Sequence, residues 1–132
     1  MGAKTAMLFA GAITASMAIH RSATAQFTIP EPAKPDGATL FARQCGTCHV
    51  VAAGAGPRQG PNLAGVFGRP AGTLPGFKYV GNFAAAAIVW DAATLDAYLT
   101  NPQALVKGSI MAYRQADPAV RQTIITWLQD HS

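Results

Sequence analysis

Five consecutive residues, Cys45-Gly46-Thr47-Cys48-His49, constrain this chain more than any other feature. They read C-x-x-C-H, the attachment signal of a c-type haem. Two thiols on adjacent turns of a short helix can each add to one vinyl group of a single haem. The imidazole that follows then lies under the iron and can ligate it. Cys45 and Cys48 are the only cysteines, so a Cys-rich zinc site would need ligands the chain lacks. A redox-active C-x-x-C pair and an inert disulfide remain open on the motif alone.

The compartment follows from the N-terminus. Lys4 supplies a positive start, Ala6 to Ile19 is a short apolar run, and Ala23-Thr24-Ala25 matches a small-x-small cleavage pattern. Residues 1–25 are therefore expected to be a signal peptide, because so short a run does not span a bilayer. An uncleaved anchor is the alternative, and His20 and Arg21 are unusual before a cleavage site. Export to the periplasm fits thiols destined for haem. Loss of Lys4 and Arg21 would leave eight basic residues against six acidic ones, so nucleic acid is not an implied partner.

Residues 26–36 carry Pro30, Pro32 and Pro35 and are expected to form an extended lead-in to a domain over 37–132. Asp36 is positioned to cap a first helix running from about Gly37 toward Cys48, with Leu40, Phe41, Gln44 and Cys45 on one face. From Gly54 to Gly81 twelve residues are Gly or Pro, which predicts a long irregular loop. The interspersed Leu63, Val66, Phe67, Leu74, Phe77 and Tyr79 argue that it packs, since disordered segments are poor in such residues. Asn82 to Val89 is expected to be a short alanine helix or turn. Asp91 can cap a helix with Leu95, Tyr98 and Leu99 inward, ended by Asn101-Pro102. Asp117-Pro118 opens a last helix in which Val120, Ile124, Trp127 and Leu128 recur at helical spacing. There is no internal repeat and no strand-rich region.

A haem iron needs a second axial ligand. Past residue 25 the chain has a single methionine, Met111, and its only histidine besides His49 is His131, next to the end. Met111 follows a Gly-containing loop and is the candidate distal ligand, a soft thioether that favours ferrous iron. Filling a gap in the core is the ordinary use of a methionine and the alternative reading.

Taken together these features resemble a class I c-type cytochrome of the small soluble bacterial or mitochondrial kind. Gly37 and Phe41 stand before C-x-x-C-H at the family's spacing. Gly60-Pro61-Asn62-Leu63-Ala64-Gly65-Val66-Phe67-Gly68-Arg69 follows the loop after it, and Pro75-Gly76-Phe77-Lys78-Tyr79 comes next. Trp90, Thr94-Leu95 and Tyr98-Leu99 match the middle helix, and Met111 holds the distal position. The resemblance implies an all-α fold, several helices and long loops wrapped around one covalently bound haem c. It implies that the Pro61 carbonyl receives a hydrogen bond from His49, and that Arg69, Tyr79 and Trp90 contact the haem propionates. Tyr98 would sit near the Met111 sulfur, and Gly37 would let the first and last helices cross, with Ile124 and Trp127 opposite. Ser109 replaces the family's threonine in the methionine loop and keeps its hydroxyl.

Four departures accompany the match. Lys107 replaces the usual proline four residues before Met111. Val80 stands where a hydroxyl is common, Phe83 where many relatives carry a buried Asn, and the segment from Met111 to the last helix is slightly short. With His49 and Met111 both ligating, no coordination position stays open. The expectation is therefore a monomeric one-electron carrier, not an enzyme, cycling between Fe(III) and Fe(II). It would shuttle electrons between a dehydrogenase or membrane cytochrome complex and a terminal oxidase or reductase, with no membrane span in its mature form. A ligand-binding or sensor module with a dissociable methionine is the alternative, and a thiol–disulfide oxidoreductase at Cys45 and Cys48 is the remaining one.

Overall fold

Three capping signals and one helix crossing organise the architecture. In a computed structural model of the chain, which describes residues 1–2 and 31–131, the expected leader past Gly2 and the start of the lead-in lie outside the described residues. Everything from Ala33 onward belongs to one compact unit, Ala33–Ser132. Residues 31–36 carry no regular structure. Helix α1 spans Gly37–Gln44, with the Asp36 carboxylate accepting from the Thr39 N–H at 2.7 Å. It stops sooner than expected. Cys45 is its C-cap, and the thiols follow it in turns instead of lying within it.

The long loop from 50 to 82 has no helix, as its glycines and prolines dictate. Its far part is tied to residues 88–90 by an isolated bridge, Pro70 to Val89, a pairing too short to show as strand periodicity. Helix α2, Phe83–Ala86, is a single turn that ends on Ala87 in the left-handed region. Helix α3, Ala92–Thr100, begins with a full capping box between Asp91 and Thr94. Asn101 closes it in extended conformation, as expected before a proline. Pro102 then starts a further turn, α4, Pro102–Leu105, which the sequence pattern does not announce.

The last helix, α5, Pro118–His131, starts with the Asp117 carboxylate accepting from the Ala119 N–H at 2.8 Å. Helix α1 packs on α5, and α3 packs on α5 and α4. At the first crossing Gly37 is required by proximity. A Cβ there would lie 2.3 Å from Trp127 Cβ. One turn on, Phe41 stacks against the Trp127 ring at 4.8 Å between centroids. The core is drawn from Leu40, Phe41, Leu95, Tyr98, Leu99, Ile124, Ile125 and Leu128, with Val66 and Val106 from the loops. Trp127 and Val120 are only half-buried, and Arg121 and Ile125 are buried beside them. The buried stripe of α5 is thus wider than its apolar positions suggested. The described residues contain no strand element, so the architecture is all-α with long loops.

Candidate functional site

The end of α1 builds one wall of the site. The Phe41 carbonyl accepts from both the Cys45 and the Gly46 N–H, and the Cys45 carbonyl from the Cys48 and His49 N–H. These tight turns bring two thiols and an imidazole together. The two cysteines form no disulfide, and Cys45 is buried and Cys48 half-buried. Burial, helped by the neighbouring Cys48, pushes the Cys45 thiol up to about 11. A redox-active pair needs a readily formed thiolate, so this environment disfavours disulfide exchange.

His49 is oriented from below by the loop. Its Nδ1 lies 2.9 Å from the Pro61 carbonyl oxygen. A carbonyl only accepts, so Nδ1 carries the proton and Nε2 keeps its lone pair. Burial pulls the ring's pKa down, and the Pro61 bond opposes it only in part. The ring is accordingly held in the neutral form that ligates metals. The expected Pro61 contact is present, and its neighbour Gly60 was missed. A Cβ at Gly60 would come within 2.3 Å of His49 Cε1, so the ring occupies the space a side chain would need.

The opposite wall is the segment between α4 and α5. The Ser109 N–H donates to the Val106 carbonyl, and Gly108 has φ 76° in the third position of that turn. Tyr98 and Ser109 share a hydroxyl hydrogen bond of 2.7 Å, and the Met111 N–H reaches Ser109 Oγ at 3.4 Å. Tyr98 is therefore linked to the methionine loop through Ser109, and its phenol is pushed up by burial. Gln103, on α4, donates from Nε2 to the carbonyls of Ser109 and Met111 and was not among the expected site residues. Tyr113, two residues after Met111, is half-buried, and its hydroxyl donates to Gln44 Oε1 on α1.

The bridge between residues 70 and 89 sets the edge. Trp90 N–H donates to the Arg69 carbonyl and Gly68 N–H to the Trp90 carbonyl, so Arg69 and Trp90 reach the same rim. Arg69 gives two donors to loop carbonyls, of Ala64 at 2.9 Å and Asn62 at 3.1 Å. A guanidinium has five donors, so it retains others for an anion. Tyr79 packs between Phe77 and Phe83, and Phe83 takes an apolar place near Tyr98.

All these walls enclose one cavity of about 520 Å³. It is lined by Cys45, Cys48, His49, Pro61, Arg69, Tyr79, Trp90, Tyr98, Ser109 and Met111, every one of the expected site residues. Leu95, Leu99, Ile124 and Leu128 form its apolar back. Its volume lies within the ~300–1,000 Å³ usual for cofactor pockets. Apolar walls, two thiols side by side, a neutral imidazole, a thioether and a rim of donors match the chemistry of a haem with two carboxylates. A shallower hollow of about 420 Å³ between α1 and α5 gathers no comparable set of ligating side chains. Among the described residues no cluster of three or more His, Cys, Asp or Glu forms a separate metal site.

Fold and site together define a c-type haem protein: helices and long loops built around a pocket with a C-x-x-C-H wall. Comparison with known proteins gives the family. The cytochrome c family model matches residues 35–132. The chain is 42% identical over 101 residues to a cytochrome c of Ulva intestinalis, covering 76% of this chain and 89% of that one. It is 39% identical over 95 residues to a cytochrome c of Sesamum indicum, covering 71% and 86%. With one of Ginkgo biloba it shares 37% over 107 residues, covering 80% and 95%. The chain belongs to the cytochrome c family. It carries one covalently bound haem c and is an electron-transfer protein that works with redox partners, not an enzyme. Among the described residues no helix is long and apolar enough to cross a membrane.

Proposed function

We propose that this chain is an exported, periplasmic one-electron carrier in which His49 and Met111 both ligate the iron. It would accept electrons from a dehydrogenase or a membrane cytochrome complex and deliver them to a terminal oxidase or reductase. The export reading rests on the leader pattern in residues 1–25. The observation that carries the rest is the cavity itself, which has His49 and Met111 among its lining residues together with both thiols.

When bound, haem c supplies an iron that gains and loses one electron. The residues divide the remaining work. Cys45 and Cys48 anchor the group covalently. The Pro61 carbonyl holds the His49 ring at its Nδ1–H and strengthens the donor character of Nε2. Ser109, tied to Tyr98, holds the backbone N–H of Met111. Arg69, Tyr79 and Trp90 line the same cavity and would supply donors to the haem propionates. Leu95, Leu99, Ile124 and Leu128 keep water from the back of the pocket. With both His49 and Met111 as ligands, the iron would have no place for a substrate, and its oxidation and reduction would require little rearrangement.

The test is Met111→Ala. It should lower the reduction potential, because a soft ligand to ferrous iron is lost, and should let carbon monoxide bind the reduced protein readily. Unchanged potential and spectrum would reject Met111 as a ligand. Ready carbon monoxide binding by the unaltered protein would favour the ligand-sensor reading.

A further inference from the structure

We propose that Gln103 is a positioning residue for Met111, holding by hydrogen bonds a loop that lacks a stiffening proline. The inference rests on Met111 as an axial ligand. Gln103 Nε2 lies 2.8 Å from the Met111 carbonyl and 3.1 Å from the Ser109 carbonyl. On its other side Arg114 Nη2 donates to Gln103 Oε1 at 2.7 Å. A guanidinium has no acceptor, so the amide oxygen must face it, and the NH2 group is then aimed at the two carbonyls. Two N–H donors thus meet two acceptors, with the amide oriented by a charge.

The placement matters because the two carbonyls flank Ile110, which is 72% exposed. Pinning both fixes the chain on either side of it, and the backbone of Met111 with it. Of the neighbouring ties, only the long contact from the Met111 N–H to Ser109 Oγ, at 3.4 Å, reaches Met111 itself, and the others act elsewhere. Tyr98 binds the Ser109 hydroxyl, and the Asn82 N–H binds the Lys107 carbonyl. Lys107 occupies the second position of the turn closed by Val106 and Ser109, where a proline is readily accommodated. An amide on α4 supplies the stiffness that a proline ring at position 107 would provide.

The ferric holoprotein titrated with imidazole tests this. An external ligand binds only after the thioether has left, so its apparent affinity reports the open fraction. Met111→Ala should bind imidazole far more tightly than the unaltered protein. Gln103→Glu keeps shape and the Arg114 contact but turns an acceptor toward the two carbonyls. It should tighten imidazole binding about tenfold, equivalent to ~1.4 kcal/mol in the opening equilibrium. Adding Lys107→Pro to Gln103→Glu should restore most of the original value. Ile125→Val, which trims the core away from the cavity, should lower the melting temperature without tightening imidazole. If Met111→Ala tightens binding and Gln103→Glu does not, the positioning role is overturned. Equal tightening by Ile125→Val would likewise overturn it, as a mere effect of stability. No change in Met111→Ala would remove the axial assignment and this inference with it.

Discussion

His49 and Gly60 show how much one residue can depend on another's lack of a side chain. The ring fills the volume that a Cβ at Gly60 would claim, with Cε1 only 2.3 Å from that position. Gly60→Ala should therefore cost ~1–3 kcal/mol through overpacking. It should also raise the reduction potential by loosening the Pro61 hydrogen bond and weakening the imidazole as a donor. Denaturant unfolding and a potentiometric titration read the two effects, and a variant unchanged in both would contradict the geometry. Lys107 supports an opposite change. Its N–H makes no backbone bond, and Val106 before it is extended, as a residue preceding proline must be. Lys107→Pro should stabilise the protein by ~0.4–1 kcal/mol through the unfolded state, and a lower denaturant midpoint would refute that. At this scale the sequence was most informative where chemistry is local. Cys45, Cys48 and His49 fall within five consecutive residues, and Met111 is the only methionine past residue 25. Gln103 and Gly60 were not legible as site residues, because their partners are fixed by loop conformation and not by spacing.

The helices were legible where capping chemistry is written into neighbouring residues. Asp36, Asp91 and Asp117 each accept from a backbone N–H at the helix start they mark. Helix α4 was not, since a turn after Asn101-Pro102 has no periodic pattern. Arg121 was missed because its burial depends on a partner on another helix. It is 8% exposed, bound to Asp96 of α3 at 2.8 Å and to the carbonyls of Gln115 and Ala116. That pairing gives a pH prediction. The Arg121 hydrogen bond holds the Asp96 carboxyl below its usual value of 3.8. A depressed carboxylate adds stability that is present above the unfolded value and lost as pH falls through the folded one. Asp96→Asn should thus be destabilised at neutral pH, with the gap to the unaltered protein closing below about pH 3.8. A gap constant down to acid pH would contradict the pairing. The α1–α5 crossing gives a second prediction. Gly37→Ala meets Trp127 Cβ and a backbone oxygen, neither of which can yield easily. It should cost ~1–3 kcal/mol, and an unaltered melting temperature would show that the helices can part.

Across the whole molecule, charge is sparse, at 12% of residues. Past residue 25 the chain has three lysines, Lys34, Lys78 and Lys107, and five arginines. Four of those arginines are engaged: Arg58 with Gly46, Arg69 with two loop carbonyls, Arg114 with Gln103 and Arg121 with Asp96. Around the cavity mouth stand the exposed apolar residues Val80 and Ile110. Steering is screened over ~10 Å at 0.1 M salt, so electron transfer with the partner should slow only mildly as salt rises. Ile110→Glu should slow it more than Lys78→Ala, and a steep salt dependence with a large Lys78 effect would contradict this. The helix starts were legible from caps, and the all-α plan from the family resemblance. The loop's exact path was not, because it is set by the pocket it surrounds. A haem held between His49 and Met111, as proposed, would serve electron transfer alone. The most direct test is a potentiometric titration of the holoprotein, followed by absorption, with and without carbon monoxide. One reversible one-electron transition is expected, with spectra and midpoint unmoved by the gas. A carbon monoxide complex on reduction, with a midpoint displaced upward, would contradict it.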